Sequence, residues 1–178
     1  MGAMPRAPSS PRATQTPAAA PAHDIDAQLA SADRHCMDHG LRLTSGRKAV
    51  LQALLRRGGT AKAYELLADL QSGGASVAPM AVYRSLDFLV AHDIVHKVAS
   101  NSSFVYCQHD HHRHHEPSFL ICERCGSATE WDAEGCHAVV AQALKATGFA
   151  VHGIEIQGLC AGCAQTDKLT TPATRGNR

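Results

Sequence analysis

The 178-residue chain has a formal net charge of +1, and 44% of its residues are hydrophobic but only 4% are aromatic. This composition suits one compact globular domain or two small ones, and no apolar run approaches the roughly 20 residues of a membrane span. Seven cysteines and twelve histidines without a secretory segment argue against a disulfide framework. They favour thiolate and imidazole metal ligation in a reducing cytoplasm, and we expect a cytoplasmic protein without membrane association.

Charge is distributed unevenly along the chain. Five basic residues occur from Arg42 to Arg57 without an acid, whereas 107–165 has three Lys or Arg against seven Asp or Glu. This asymmetry favours a nucleic-acid face on the N-terminal half and a different task for the C-terminal half. A solvated helix face is the alternative that charge alone leaves open.

Both ends of the chain lack apolar periodicity. Residues 1–23 are rich in Ala, Pro, Ser and Thr, and 166–178 have a similar character. Such segments bury too little surface to offset their ordering entropy, so we predict a disordered N-terminal arm and a disordered tail.

Four helix-like stretches follow the N-terminal arm. Each combines apolar residues at helical spacing with start and stop signals such as an N-cap, a first-turn proline or a terminal glycine. The four are predicted from Asp24 to Gly40, from Thr44 to Gly58, over 64–73 and from Pro79 onward.

Two β-rich runs, 94–98 and 104–106, come directly after the fourth helix and flank the turn-forming segment 100–103. Short helices followed by a hairpin are the order of a winged helix, in which the last helix enters the DNA major groove. A small helical bundle carrying a hairpin fits the same periods, and the pattern alone does not separate the two.

The C-terminal half has the pattern of a small α/β unit. Strands are predicted over 118–122, 127–131 and 149–157, with a helix over 134–147. A unit of this size has few core residues, so we expect it to pair with a second copy through an open sheet edge. The predicted fold class is therefore α+β. Cys36 and Cys136 are expected to be small buried groups rather than ligands.

Two C-x-x-C motifs carry the strongest chemical signal. Cys122 and Cys125 form the first, and Cys160 and Cys163 form the second. Each spacing lets two sulfurs point at one ion, and four thiolates make a closed structural zinc site. The alternative is a redox dithiol, which normally needs one such motif in a βαβ setting.

A second group of ligand types lies between the two halves. Cys107 precedes the histidine-rich run 109–116. A loose metal-scavenging tract or a solvated linker is one interpretation of such a run. Cys107 favours a zinc site, because a thiolate beside imidazoles raises zinc affinity and selects against hard cations.

Taken in order, these motifs resemble the zinc uptake regulators of the ferric uptake regulator family. The resemblance covers about Ile25 to Cys163 and depends on three segments: Val82 to Leu89, Val95 to Val98, and Tyr106 through the His run to Gly126. It implies a homodimer with N-terminal winged helices and a C-terminal dimerisation domain. It also implies two zinc ions or more per subunit, one structural and one regulatory.

Transferred position by position, the resemblance assigns the structural zinc to the four cysteines of the C-x-x-C motifs. It assigns the regulatory zinc at the hinge to His96, Cys107, His115 and Glu130. Histidines that neither zinc site uses suggest a candidate third metal site, in which His137 and His152 join Glu116.

The DNA-binding residues are expected at the start of the fourth helix and near the second. Arg can donate two bonds to guanine, while Tyr and Ala can touch a thymine methyl group. Arg84 holding only phosphate is the alternative, since most protein–DNA hydrogen bonds go to the backbone. The expected set is Met80, Ala81, Tyr83, Arg84 and Arg47. Leu43 to Arg47 and Ala81 depart from the family pattern, so operator preference transfers less well than the zinc sites.

The resulting hypothesis is a zinc-responsive transcriptional repressor of zinc uptake and homeostasis genes that binds double-stranded operator DNA at an inverted repeat. We expect no enzymatic activity and no small-molecule substrate, because neither H-E-x-x-H nor the deaminase pattern occurs. A zinc-storage or adaptor protein would explain the histidines but not the helix–hairpin order. The expected divisions are an arm 1–23, a winged helix 24–106, a hinge 107–117, a dimerisation domain 118–165 and a tail 166–178.

Overall fold

The computed structural model describes residues 24–74, 76–108, 117–131, 134–151 and 153–170. The predicted N-terminal arm and the whole histidine-rich run 109–116 lie outside these residues. Within the described ranges, no helix combines the length and the apolar character that a membrane crossing requires.

Four helices form most of the N-terminal half, as predicted. The Asp24 carboxylate accepts the amides of residues 26 and 27, and Thr44 accepts the Arg47 amide, so both side chains cap helix starts. Pro79 occupies the first turn of the fourth helix, where its missing N–H costs nothing. The helices are α1 (Ile25–Asp38), α2 (Ser45–Arg56), α3 (Ala63–Ser72) and α4 (Pro79–Ala91).

A three-stranded antiparallel sheet, which we call the wing sheet, completes this half. The predicted hairpin is present as β2 (Val95–Val98) and β3 (Ser103–Tyr106), and β1 (Thr60–Lys62) pairs with the other side of β3. The strand β1 was not predicted, because three residues carry no usable periodicity. The four helices and one face of the wing sheet share a single apolar core that includes Leu54, Leu66 and Leu86.

The C-terminal half is the small α/β unit that was predicted, with different strand limits. Its sheet has the order β5-β4-β6, with β4 (Ser118–Cys122) antiparallel to β5 (Ala128–Glu130) and parallel to β6 (Ile154–Gly158). The helix α5 (Glu134–Leu144) continues as a 3-10 turn (Lys145–Thr147) and ends at Gly148, whose φ of +69° favours glycine. The last strand begins at Ile154, later than predicted.

Two further expectations about the C-terminal half were wrong. The helix α6 (Ala161–Thr170) extends into the predicted disordered tail. Helix-favouring residues such as Ala161, Ala164 and Gln165 begin it, and the Thr- and Pro-containing segment that favours disorder comes only after them. Cys36 is buried as expected, but Cys136 is exposed on α5.

The two sheets face each other and join the halves of the molecule. Side chains alternate between the faces of a strand, so Val98 and Val105 point away from the helical core. They pack against Phe119, Ile121 and Ala128 of the C-terminal sheet in a second, smaller apolar cluster. The fold class is therefore α+β, with an N-terminal winged helix followed by a small α/β unit, as predicted.

Candidate metal centres and nucleic-acid interface

The four cysteines of the C-x-x-C motifs meet at one end of the C-terminal sheet. Parallel pairing of β4 with β6 sets Cys122 beside Gly158, which brings the second motif next to the first. The four sulfurs lie within 4.8 Å of one another, and those of Cys125 and Cys160 are 3.9 Å apart. The structure thus brings all four predicted structural ligands together.

Backbone and hydroxyl donors surround these sulfurs. Amide hydrogen bonds from Cys125 and Cys160 lower the pKa of Cys122 to about 6, and the Ser127 hydroxyl and amide lower that of Cys125. Hydrogen bonding with Cys160 and, to a smaller extent, burial raise the pKa of Cys163 to about 12. Some of the sulfurs are thus readily ionised, while their crowding opposes ionising all of them. A divalent cation relieves that conflict, so this closed set of soft donors fits zinc.

A second cluster lies where the wing sheet meets the C-terminal sheet. His96 comes from β2, Cys107 follows β3, and Glu130 ends β5, yet their ligand atoms lie within 4.8 Å of one another. His96 Nε2 is 3.6 Å from Glu130 Oε1, with the two side chains only 10% and 1% exposed. Burying a carboxylate is costly without compensating positive charge. Nitrogen, sulfur and oxygen donors around one point fit a borderline cation such as zinc.

The remaining predicted ligands are placed only in part. His115, Glu116 and His152 lie outside the described residues. Nε2 of His137 is 2.7 Å from the Ser118 hydroxyl oxygen. Among the described residues, three or more potential metal ligands lie close together only in the four-cysteine cluster and in the cluster of His96, Cys107 and Glu130. The third site therefore stays a prediction.

The first turns of α4 present an exposed surface opposite the core. Met80 and Tyr83 are 61% and 47% exposed. Ala81 and Arg84 are exposed with them, while Val82 and Leu86 are buried on the other face. Helical spacing alone accounts for this division. The predicted base-contacting residues therefore form one accessible face.

Arg47 is held beside this face. Its guanidinium lies 3.4 Å from the centre of the Phe88 ring and donates to the Arg42 carbonyl oxygen at 2.7 Å. This cation–π contact orients the cation at the junction of α2 and α4.

Residues that sequence patterns did not single out tie the two halves together. The Thr60 hydroxyl donates to the Ala128 carbonyl oxygen at 2.6 Å. The Glu155 carboxylate accepts the Ala99 and Ser100 amides at 2.7 and 3.1 Å. A lone threonine or glutamate belongs to no motif, so nothing in the chain marks these partners.

Comparison with known proteins agrees with this geometry. The family model for the ferric uptake regulator family matches residues 38–158. The zinc uptake regulation protein of Escherichia coli K12 is 36% identical over 146 residues, covering 81% of this chain and 85% of that protein.

Solved structures of zinc uptake regulators are among those that match. A zinc uptake regulator complexed with zinc and DNA is 35% identical, with a TM-score of 0.73 over 82% of this chain and 98% of that one. Holo XcZur is 39% identical, with a TM-score of 0.68 over 79% of this chain and 99% of that one. Taken with the two ligand clusters and the winged-helix order, these matches show that the chain belongs to the ferric uptake regulator family.

Proposed function

We propose that this protein is a zinc-responsive, DNA-binding transcriptional repressor that controls genes of zinc uptake and homeostasis. One observation carries the proposal: His96 and Cys107 of the wing side and Glu130 of the C-terminal sheet converge on one point. The relatives named for zinc uptake regulation, one of them complexed with zinc and DNA, support it.

Two zinc ions per subunit have different roles in this proposal. Cys122, Cys125, Cys160 and Cys163 hold the structural ion. His96, Cys107 and Glu130 hold the regulatory ion, with His115 as fourth ligand. Four protein ligands leave no open coordination position, so we propose a regulator and not an enzyme.

The regulatory site acts by fixing the DNA-binding unit against the C-terminal unit. Zinc supplies a cation that ligands from both units can share. His96 and Cys107 move with the wing sheet, and Glu130 moves with the C-terminal sheet, so a shared bond restricts rotation between them. Without that restriction, recognition helices sample separations that do not match successive major grooves. Couplings of this kind commonly change affinity by about 5- to 150-fold.

The active form is a homodimer that binds an inverted repeat. Leu120 and Ile156 are paired on β4 and β6, face away from the wing sheet and are 39% and 43% exposed. Val139 and Phe149 of the same unit are also exposed. Apolar surface of this extent is typical of an interaction site, and a second copy is the partner we propose. Two-fold symmetry then presents both α4 helices to two half-sites.

The proposal is tested by a mobility-shift titration on DNA upstream of zinc-uptake genes, in which zinc is titrated against a chelator. The wild-type protein should shift operator DNA selectively and only with zinc. Cys107→Ser should keep its structural zinc but bind operator DNA weakly whether or not zinc is added. Cys136→Ser, at an exposed cysteine, should behave like wild type. Undiminished, zinc-independent binding by wild type would contradict the proposal.

A further inference from the structure

A row of three side chains crosses the C-terminal sheet toward the wing. Phe119 on β4 is paired with Glu130 on β5 and with Glu155 on β6. Directly paired residues project from the same face of a sheet. Glu130 belongs to the His96 cluster and Phe119 to the apolar cluster between the sheets. Glu155 is the third member of the row, and the regulatory site does not use it.

Glu155 contacts the turn of the wing hairpin through both carboxylate oxygens. Oε1 accepts the Ala99 amide at 2.7 Å, and Oε2 accepts the Ser100 amide at 3.1 Å. Burial by itself would raise the pKa of Glu155, but hydrogen bonds from Ser100 and the Ala99 amide hold it below its ordinary value. The group is therefore ionised at neutral pH, and hydrogen bonds to an ionised acceptor are stronger than neutral ones.

A neighbouring contact holds the same turn. The Asn101 side-chain amide donates to the Gly126 carbonyl oxygen at 3.2 Å, while its oxygen accepts from the Ser103 amide and hydroxyl. The tip of the wing hairpin is thus bound to the C-terminal unit at two places. Both contacts are hydrogen bonds between protein groups, and neither requires a metal ion.

We propose that Glu155 is a positioning residue, a metal-independent latch that holds the wing turn on the C-terminal sheet and favours the same arrangement of the two units as zinc at the regulatory site. This inference rests on the proposed function of that site. It assigns to Glu155 an effect on zinc affinity although Glu155 is not a ligand.

The distance between the two attachment points explains why the latch matters. His96 and Ala99 are three residues apart along β2 and its extension, or about 10 Å at strand spacing. The apolar cluster and the Thr60 hydrogen bond already hold the two sheets together, and the Glu155 contact adds an attachment at the tip of the hairpin that further limits pivoting of the wing. Each attachment thus lowers the ordering cost of the other, which is positive coupling.

The central test is Glu155→Gln in the full-length dimer with its structural zinc retained. Glutamine keeps the size of the side chain but loses the charge. Its NH2 group also replaces one of the two acceptor oxygens, so one backbone amide of the turn loses its acceptor. Zinc affinity of the regulatory site, measured by competition with a chromophoric chelator, should fall about 3- to 10-fold, allowing for the partial exposure of the group. Hydrogen exchange at the Ala99 and Ser100 amides should accelerate in the same variant.

Asp38→Asn is the control for charge, because it removes the same charge from an exposed position outside both ligand clusters. It should leave both zinc affinity and exchange at the wing turn unchanged. If Glu155→Gln has wild-type zinc affinity at the regulatory site and wild-type exchange at the two amides, the latch is overturned.

Glu155→Asp provides a second variant should Glu155→Gln fail to dimerise. It keeps the charge but shortens the side chain by one methylene group, so its carboxylate no longer reaches the Ala99 and Ser100 amides in the same geometry. The same direction of change is expected, and wild-type affinity together with wild-type exchange at the two amides would overturn the latch. Cys107→Ser separates this outcome from the parent proposal: if Cys107→Ser abolishes regulatory zinc binding while the latch variants bind as wild type, only the latch is wrong.

Discussion

Replacing Cys160 by serine should unfold the C-terminal unit while the N-terminal unit stays folded. Cys160 belongs to the four-sulfur cluster, and its amide also donates to the Cys122 sulfur at 3.4 Å. A serine hydroxyl is a poor zinc ligand at neutral pH, so the variant loses both the ion and the order that the ion imposes on the two C-x-x-C turns.

The size of the effect follows from how little else stabilises this unit. Phe119 and Ile121 are its large buried apolar side chains among the described residues. Complete burial of such a side chain contributes about 1.5 to 3 kcal/mol. Two of them therefore contribute at most about 6 kcal/mol, whereas structural zinc contributes about 10 to 16 kcal/mol. Loss of the ion outweighs the apolar core.

The N-terminal unit has its own core. Leucines of α2, α3 and α4, among them Leu51, Leu66 and Leu89, are completely buried within it. We therefore expect Cys160→Ser to retain the helical circular dichroism of the N-terminal unit. Limited proteolysis should leave a resistant N-terminal fragment, and gel filtration should show loss of the dimer.

Cys136→Ser is the control, because Cys136 is an exposed cysteine of the same unit outside the cluster. It should keep the zinc content, the dimer and the protease resistance of the wild type. A dimeric Cys160→Ser protein with native circular dichroism and native protease resistance would refute the reasoning.

Three further predictions concern the N-terminal unit. Arg84→Ala should weaken operator binding by about 1 to 3 kcal/mol and relax the preference at one base pair of each half-site; an equal loss on random DNA in a mobility-shift titration would assign Arg84 to phosphate instead. Phe88→Leu should weaken DNA binding by about 0.5 to 1 kcal/mol on any sequence, because the Arg47 guanidinium loses the ring that orients it; unchanged affinity would contradict this. Asp69→Asn should lower the free energy of unfolding by at most about 1 kcal/mol, since the ion pair with Arg57 is partly exposed. Hydrogen bonds and charge from Arg57 lower the pKa of Asp69. The ion pair therefore stabilises the fold fully above the pKa of the unfolded state, about 4, and this stabilisation is lost as pH falls through the lower pKa of the folded state. Denaturant titrations of both proteins should therefore differ at pH 7 and converge in acid, and a difference that persists in acid would contradict the assignment.

Local signals in the sequence determined the helices and the ligand types. Asp24, Thr44 and Pro79 mark helix starts through interactions within one turn, so the chain itself specifies them. The two C-x-x-C motifs specify their paired sulfurs in the same way, because two residues of spacing fix the geometry of each pair.

Only the tertiary structure decided which distant segments meet. The strand β1 exists because Thr60 pairs with Val105, and the last strand is limited by its parallel pairing with β4. Neither pairing has a local signature, since its energy is gained only after a long loop closes.

The regulatory cluster illustrates the same limit. Residue types and the family resemblance named His96, Cys107 and Glu130, but their spacing along the chain says nothing about distance. Packing of the wing sheet on the C-terminal sheet brings their ligand atoms within 4.8 Å. That packing also places Glu155 against the wing turn. A carboxylate that accepts backbone amides binds a group that every residue except proline has, so the sequence does not mark its partner and only the fold determines it.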